Sequence, residues 1–279
     1  MKYTPAVVFS VKFLGTLLFL GLPLFGQATQ TLYIPQFVDG GGWQSTIVIT
    51  NTSAVTATAT LTFHSDSGGG NTQAWTPSFL ETSSTSGLVL ASGSSMFLHT
   101  PGTAPTLTQG WGEVDAGAGI VAYNIFTNRL PGQKDQDSTA PAVSATNRIL
   151  VPYDDANGFV SAIAVVNPTA TAQTVSIGFQ TTDGIIAMDL LPIVPPMGHL
   201  AFVLSQQFPY ILGHRGLAEF YSATGNLSMI ALRFNPTQSS TSMPVFFETG
   251  TPLIQPPPVT DPYPSNGYYN AVRPDSSVK

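Results

Sequence analysis

The chain has 279 residues, of which only 9% are charged and 43% are hydrophobic, and its formal net charge is −6. An average soluble protein carries roughly 25% charged residues. Lys and Arg are absent between Ala28 and Arg129, so there is no basic face of the kind that binds nucleic acid or anionic lipid. The hydrophobic residues are strongly patterned, which indicates a folded chain.

The first 28 residues have the pattern of a signal peptide. Lys2 and Lys12 precede an apolar run from Phe13 to Phe25, and Gly26 to Ala28 offers small residues for cleavage. The run is shorter than the ~20 residues that a spanning helix needs, so we expect cleavage near Thr29 and no membrane insertion afterwards. An uncleaved anchor is the alternative. The chain has no Cys, which excludes a lipoprotein anchor and disulfides.

One stretch of the mature chain occurs twice, first from Asp39 to Phe63 and again from Asp155 to Phe179. Each copy reads as a glycine turn, a strand, an Asn-based turn and a second strand. Apolar and polar residues alternate within the strands, which is typical of half-buried antiparallel sheets. The repeat predicts two domains, at 31–143 and 148–247.

The remaining strands follow the same repeat. Ala122 to Phe126 matches Ser228 to Leu232, and turn signals recur at sandwich-like spacing. The Gly- and Ser-rich stretch from Ser65 to Thr76 predicts a long flexible loop. A helical pattern occurs from Ser205 to Leu212, where Ser205 is a candidate cap. The Pro-rich segment at 250–279 predicts a disordered tail.

The predicted fold class is therefore all-β, with two tandem immunoglobulin-like antiparallel β-sandwich domains after a signal peptide. The segment from Asp39 to Trp43, the Asn-based turns and the ending from Arg233 to Pro236 carry a resemblance. The chain resembles secreted bacterial proteins of unknown function, of acidobacterial type, that carry paired immunoglobulin-like domains. This resemblance implies a fold and an export route, and it implies no reaction.

Two acidic loops are weak candidates for calcium. Asp135 and Asp137 lie two positions apart, and Asp154 and Asp155 precede a glycine turn. Carboxylate oxygens in loops suit a hard cation, but the full loop motif is absent. Turn formation explains the same residues, so we expect no bound metal, no cofactor and no calcium dependence of the fold.

The aromatic residues give one candidate ligand contact. Trp43 and Trp111 have apolar counterparts in the second copy, Phe159 and Leu217, which favours a place in the core. Trp75 has no counterpart and falls in the predicted flexible loop. An exposed Trp in such a loop is a candidate contact with a glycan or a protein, although packing of all three tryptophans in the core is the favoured interpretation.

The candidates for catalysis are weaker. The four His residues lie outside any Gly-x-Ser-x-Gly elbow, and His99 and His199 fall at strand ends. Glu113 and Glu219 occupy matching repeat positions, which favours a structural role beside Arg129 or Arg215 over glycoside hydrolysis.

These observations favour an exported, non-catalytic protein of the cell envelope, the extracellular space or the periplasm. We expect a structural, adhesion or protein-interaction module whose partner is an extracellular protein or a glycan surface, with no nucleic acid. A carbohydrate-binding accessory protein is the alternative, and a hydrolase with an unrecognised site is the second alternative. The sequence leaves the oligomeric state open. It also leaves these functions open, because function depends on sites that the fold alone does not specify.

Overall fold

The computed structural model describes residues 28–129, 132, 134–237 and 239–255. The predicted signal peptide, apart from its last residue, and the predicted tail beyond Gln255 lie outside the described residues. The regular secondary structure of the described part of the chain is almost entirely antiparallel β-strand, which confirms the all-β class and a β-sandwich-like fold. Within it, no helix has the length and apolar character needed to cross a membrane.

The first half of the chain forms two sheets. Its strands are β1 (Thr29–Asp39), β2 (Trp43–Asn51), β3 (Ala57–Gly68), β4 (Asn71–Trp75), β5 (Leu88–Leu90), β6 (Ser95–His99), β7 (Thr108–Gly117), β8 (Ile120–Asn128) and β9 (Gln136–Pro141). Sheet A has the order β1-β7-β3-β4, with β5 paired to β3. Sheet B has the order β6-β2-β8-β9.

The second half forms two further sheets. Its strands are β10 (Arg148–Asp154), β11 (Val160–Val166), β12 (Ser176–Thr181), β13 (Ile186–Leu190), β14 (His199–Val203), β15 (Arg215–Tyr221), β16 (Ser228–Phe234), β17 (Ser240–Met243) and β18 (Phe246–Glu248). Sheet C has the order β13-β12-β15-β10-β18, and sheet D has the order β14-β11-β16-β17. A short helix α1 (Leu204–Gln207) and a 3-10 turn (Pro209–Ile211) follow β14. Val203 occupies the cap position that the sequence assigns to Ser205.

The two halves share their strand order. In sheets A and C the central strands β7 and β15 lie between matching neighbours, and in sheets B and D the pairs β2–β8 and β11–β16 do the same. The registers correct one sequence match. Ser45 pairs with Phe126, and its counterpart Ser161 pairs with Arg233. Strands β8 and β16 therefore correspond one residue away from the predicted alignment, so that Tyr123 matches Ile230 in place of Met229.

Alternation along the strands builds a separate core in each half. In β2 the buried Ile47 and Ile49 alternate with Thr46 and Thr50, and in β3 the buried Leu61 alternates with threonines in the same way. Burial of such side chains stabilises each by roughly 1.5–3 kcal/mol. The first core also includes Ala164 and Ile230 from sheet D, so the halves are packed together.

A buried asparagine closes the same turn in both halves. The Asn51 side-chain amide donates to the carbonyl oxygens of Val55, Leu90 and Ala91 at 2.7, 3.0 and 3.2 Å. Its Oδ1 accepts the backbone N–H of Ser53 at 2.9 Å, as expected for an Asx turn. Asn167 repeats the arrangement with three carbonyl acceptors of its own.

The predicted flexible loop after β3 is a hairpin, so that prediction is wrong. β3 and β4 pair from Phe63 opposite Trp75 to Gly68 opposite Asn71. The turn between them contains Gly68, Gly69 and Gly70, all with positive φ. Such dihedral angles favour glycine. The polar composition of the edge strand β4 and of the end of β3 hid this hairpin from the alternation pattern.

The first residues of the predicted tail are packed. Ile254 is buried at 3% exposure, and the backbone N–H groups of Leu253 and Ile254 donate to the Glu219 carboxylate at 2.7 and 2.6 Å. Glu219 itself is buried, and Arg148 approaches it at 3.8 Å. Its partners are therefore this segment and Arg148, in place of the predicted Arg129 or Arg215.

Candidate functional site

Trp111 joins the two halves. Its side chain points away from the first core, lies between His64 and Tyr33, and is completely buried. The indole Nε1 donates to the carbonyl oxygen of Met197, in the second half, at 3.1 Å. Trp111 is thus buried, as predicted, but it is buried at the contact between the two halves and not in the core of the first half.

A histidine–aspartate pair lies beside this contact. His199 Nδ1 is 2.8 Å from Asp66 Oδ1, and the side chain of His199 has no exposed surface. The His199 backbone N–H also donates to the carbonyl of Gly70, where a Cβ atom would lie only 2.9 Å from Leu200. His199 Nε2 is buried without a partner in the described part of the chain, so no hydroxyl nucleophile completes this pair.

The remaining histidines lie apart from one another. His99 contacts Glu81, and His214 contacts Asp183 at 3.4 Å. His64 stacks on Trp111, where burial lowers its pKa below the ordinary value. The described residues contain no cluster of three or more His, Cys, Asp or Glu that is arranged to hold a metal ion.

A cleft of about 420 Å³ lies between the two halves. It is lined mainly by apolar side chains from both of them. From the first half these are Val38, Trp43, Leu107 and Phe126, and from the second they are Ala162, Ile163, Ala164, Ala201, Phe202, Val203, Ile230, Leu232 and Phe234. Clefts of this size and lining, at the junction of two structural units, are common ligand sites.

Three glutamine side chains add the polar part of the lining. They are Gln36, Gln109 and Gln206. Gln109 already donates to Asp66 at 2.9 Å, whereas Gln36 Oε1 is buried without a hydrogen-bond partner. A buried acceptor left unpaired costs roughly 1–3 kcal/mol. A bound group with one suitably placed donor would remove that cost.

The matching end of the second half carries paired charged residues in place of apolar ones. Val38, Gln109 and Phe126 line the cleft, and the strand registers place Asp154, Arg215 and Arg233 at the same positions. Asp154 Oδ2 accepts from Arg233 at 2.7 Å, and its Oδ1 lies 3.3 Å from Arg215. The Arg233 guanidinium lies 3.5 Å from the centre of the Phe159 ring. Only the first half thus presents an apolar end.

The calcium candidates do not converge on one site. Asp135 forms an exposed ion pair with Arg129 at 3.3 Å, and Asp137 accepts from the Thr127 hydroxyl at 2.6 Å. Asp154 contacts two arginines, and Asp155 is buried at 2% exposure. Independence of the fold from calcium stays a prediction.

Asp155 is an uncompensated buried acid. Neither of its carboxylate oxygens accepts a well-formed hydrogen bond. Burial raises the pKa of this carboxyl, and the Ser205 and Ser161 hydroxyls nearby offset that rise only in part. Burial of an acid without a partner disfavours its charged form. The charge of Asp155 therefore opposes folding at neutral pH.

Asp155→Asn is expected to raise the melting temperature at neutral pH. The folded pKa lies above the ordinary 3.8, so the folded state binds this proton more tightly and stability falls as the pH rises through the raised pKa. The amide has no charge to bury, so its advantage should vanish below about pH 4. Thermal unfolding at about pH 3 and about pH 7 measures this difference. Equal differences at both pH values would show that charge is not the cause.

The other two tryptophans differ from the sequence-based expectation. Trp75 lies in β4, half-buried, with its ring centroid 5.1 Å from that of Phe37. Trp43 is also half-buried and packs beside Phe126 at the mouth of the cleft. The role of Trp75 as a ligand contact stays a prediction.

The two repeated glutamates lie in different surroundings. Glu219 is buried, whereas Glu113 is half-buried on the outer face of sheet A beside Asp115. Burial, together with the charge of Asp115, raises the pKa of Glu113. The repeat therefore preserved the residue type without preserving its contacts.

A scan of known protein families finds no match to this chain, and a search of curated proteins finds no similar sequence. The assignment of the cleft as a candidate site therefore depends on its geometry and lining. The sequence analysis missed the glutamines and the sheet D residues of the cleft, because they come together only through the packing of one half on the other.

Proposed function

We propose that the protein is an exported, non-catalytic interaction module made of two tandem immunoglobulin-like β-sandwiches. The cleft between the halves holds an apolar group of an extracellular partner protein. The observation that carries this proposal is the mainly apolar lining, with contributions from both halves. The signal-peptide pattern and the absence of Cys support export.

The partner group is an aromatic side chain that carries a hydrogen-bond donor. Trp43, Phe126, Phe202 and Phe234 offer ring contacts, which favour an aromatic guest at centroid distances of about 4.5–7 Å. The unpaired Gln36 Oε1 favours an indole N–H or a phenol O–H on that guest. A tryptophan or tyrosine side chain of the partner meets both conditions.

A carbohydrate-binding accessory role is the second candidate. Aromatic rings combined with amide side chains also suit a sugar, and Gln36, Gln109 and Gln206 supply such amides. The small polar share of the lining favours the aromatic guest, because a sugar ring would leave several hydroxyl groups without partners.

Ala201→Trp is expected to abolish binding of an aromatic probe. Ala201 is exposed at the cleft, so a large side chain fills the space without disturbing the core. The probe is N-acetyl-tryptophanamide, for which a small isolated group predicts a dissociation constant of roughly a millimolar. The measurement is the change in NMR signals of Gln36 and Trp43 on titration.

Val89→Trp is the matched control, since Val89 is exposed on β5 outside the cleft lining. It should bind the probe as the wild type does. Binding of cellohexaose at the cleft, with no binding of the tryptophan probe, would favour the carbohydrate role. Equal binding of the probe by the wild type and Ala201→Trp would overturn the assignment of the cleft.

A further inference from the structure

A glutamine amide connects the cleft to the histidine–aspartate pair at the contact between the halves. Gln109 lines the cleft, and its Nε2 donates to Asp66 Oδ2 at 2.9 Å. Asp66 Oδ1 lies 2.8 Å from His199 Nδ1. A carboxylate only accepts hydrogen bonds, so it fixes which end of the Gln109 amide points toward it. Asp66 therefore holds the amino end of this amide and leaves the oxygen for a guest.

The oxygen of the Gln109 amide is available to such a guest. Gln109 Oε1 has no hydrogen-bond partner within the described part of the chain, and it keeps exposed surface. An amide oxygen accepts hydrogen bonds and cannot donate them. A guest atom that reaches this oxygen must therefore be a donor.

The charge behind Gln109 is negative. His199 Nε2 is buried without an acceptor among the described residues, so the neutral ring with its proton on Nδ1 suits this position. The charge of Asp66 is then uncompensated. His64, two residues before Asp66 in β3, is also neutral at neutral pH, because burial lowers its pKa. The described residues that line the cleft are all uncharged, so Asp66 dominates the field at this edge.

The cations close to the cleft along the chain are already paired. Arg233 lies between two lining residues of β16, but its side chain points to the opposite face and bonds to Asp154 at 2.7 Å. Arg129, beyond the end of β8, forms its ion pair with Asp135. The first half therefore offers a cationic guest an acceptor and an acidic group, without a competing cation bonded to that acid.

We propose that the guest of the cleft carries a positive charge beside its aromatic ring, so that the partner presents a tryptophan or tyrosine next to a lysine or arginine. The ring enters the apolar part of the cleft, and the cationic group donates to Gln109 Oε1, near Asp66. Gln109 and Asp66 then determine the specificity for charge. This inference rests on the proposed function of the cleft and adds the charge of the partner segment.

The expected preference for a cation is moderate. An ammonium group bonded to Gln109 Oε1 would lie within about 8 Å of Asp66, because the amide and two hydrogen bonds of about 2.9 Å separate them. At an effective dielectric constant of about 40, between those of a protein surface and of water, this attraction amounts to about a fivefold gain in affinity. Salt should reduce the gain by screening.

Tryptamine is expected to bind about fivefold more tightly than tryptophol, its uncharged analogue, at low ionic strength and about pH 8, where the amine is charged. Indole-3-propionate, which is negatively charged, should bind more weakly than tryptophol. NMR titration of the protein gives the three dissociation constants. Asp66→Asn should bring the ratio of the tryptophol and tryptamine constants close to one, and about 0.5 M salt should lower this ratio in the wild type.

Asp115→Asn is the matched control. Asp115 is exposed further along β7, about 20 Å from Gln109 at about 3.3 Å per residue, so its removal should leave the ratio as in the wild type. A wild-type ratio of one, an unchanged ratio in Asp66→Asn, or an equal loss in Asp115→Asn would overturn the inference. If Asp66→Asn does not fold, as circular dichroism would show, a wild-type ratio that salt leaves unchanged would overturn it.

The same titrations separate this inference from the function on which it rests. Binding of tryptophol without a preference for tryptamine would overturn the charge specificity alone and leave the aromatic guest in place. Absence of binding by all three probes would overturn the proposed function of the cleft and this inference with it.

Discussion

Trp111→Ala is expected to lower the free energy of unfolding by about 3–5 kcal/mol, the usual cost of deleting a buried large aromatic side chain. The indole is fully buried between His64 and Tyr33 and bonds to Met197 across the two halves. Its removal leaves a cavity at their contact. Met197 keeps a hydrogen bond from Thr72 at 2.7 Å, so lost packing accounts for most of the effect.

Trp43→Ala is the matched comparison, and its effect should be smaller because Trp43 is only half-buried. Urea denaturation of both variants gives the two free energies. Trp111→Ala should also expose the connection between the halves to proteolysis. A larger loss for Trp43→Ala would mean that the contact between the halves adds little to stability.

Asn51→Ala and Asn167→Ala are each expected to lower the free energy of unfolding by about 2–5 kcal/mol, because each leaves three carbonyl acceptors of a buried turn without a donor. Asn51→Asp keeps the acceptor for Ser53 but removes the amide donors. It should therefore be at least as damaging at neutral pH. The measurement is urea denaturation of all three variants, and full stability of Asn51→Asp would refute the role of the amide.

Much of the fold could be predicted because β-strands bury alternate residues. The pattern in β2 and β11 indicates the correct inward set, and the Asx turns follow from the chemistry of Asn51 and Asn167. The pattern does not reveal what covers an outward residue. Trp111 lies on the same outward row as Glu113, and it is buried only because the second half packs over it.

The candidate site could not be predicted for the same reason. Val38 and Asp154 hold matching positions in the repeat, yet one lines an apolar cleft and the other binds two arginines. The sequence displays the apolar residues of one end and the charged residues of the other, but it does not show that the second half packs beside the apolar end and so forms a cleft. The glycines that precede Trp43 and Phe159 gave no indication of this difference.

The placement of the two halves is the central claim, because the cleft exists only if it is correct. Ser138 and Ser240 lie in β9 and β17, with their hydroxyl oxygens 2.8 Å apart. The chain has no Cys, so Ser138→Cys combined with Ser240→Cys introduces a single pair. A disulfide forms only when the two Cα atoms come within about 7 Å. The arrangement predicts complete closure under mild oxidation, seen as a mass lower by two hydrogens and a higher melting temperature. Two thiols that stay free in the folded protein would contradict it.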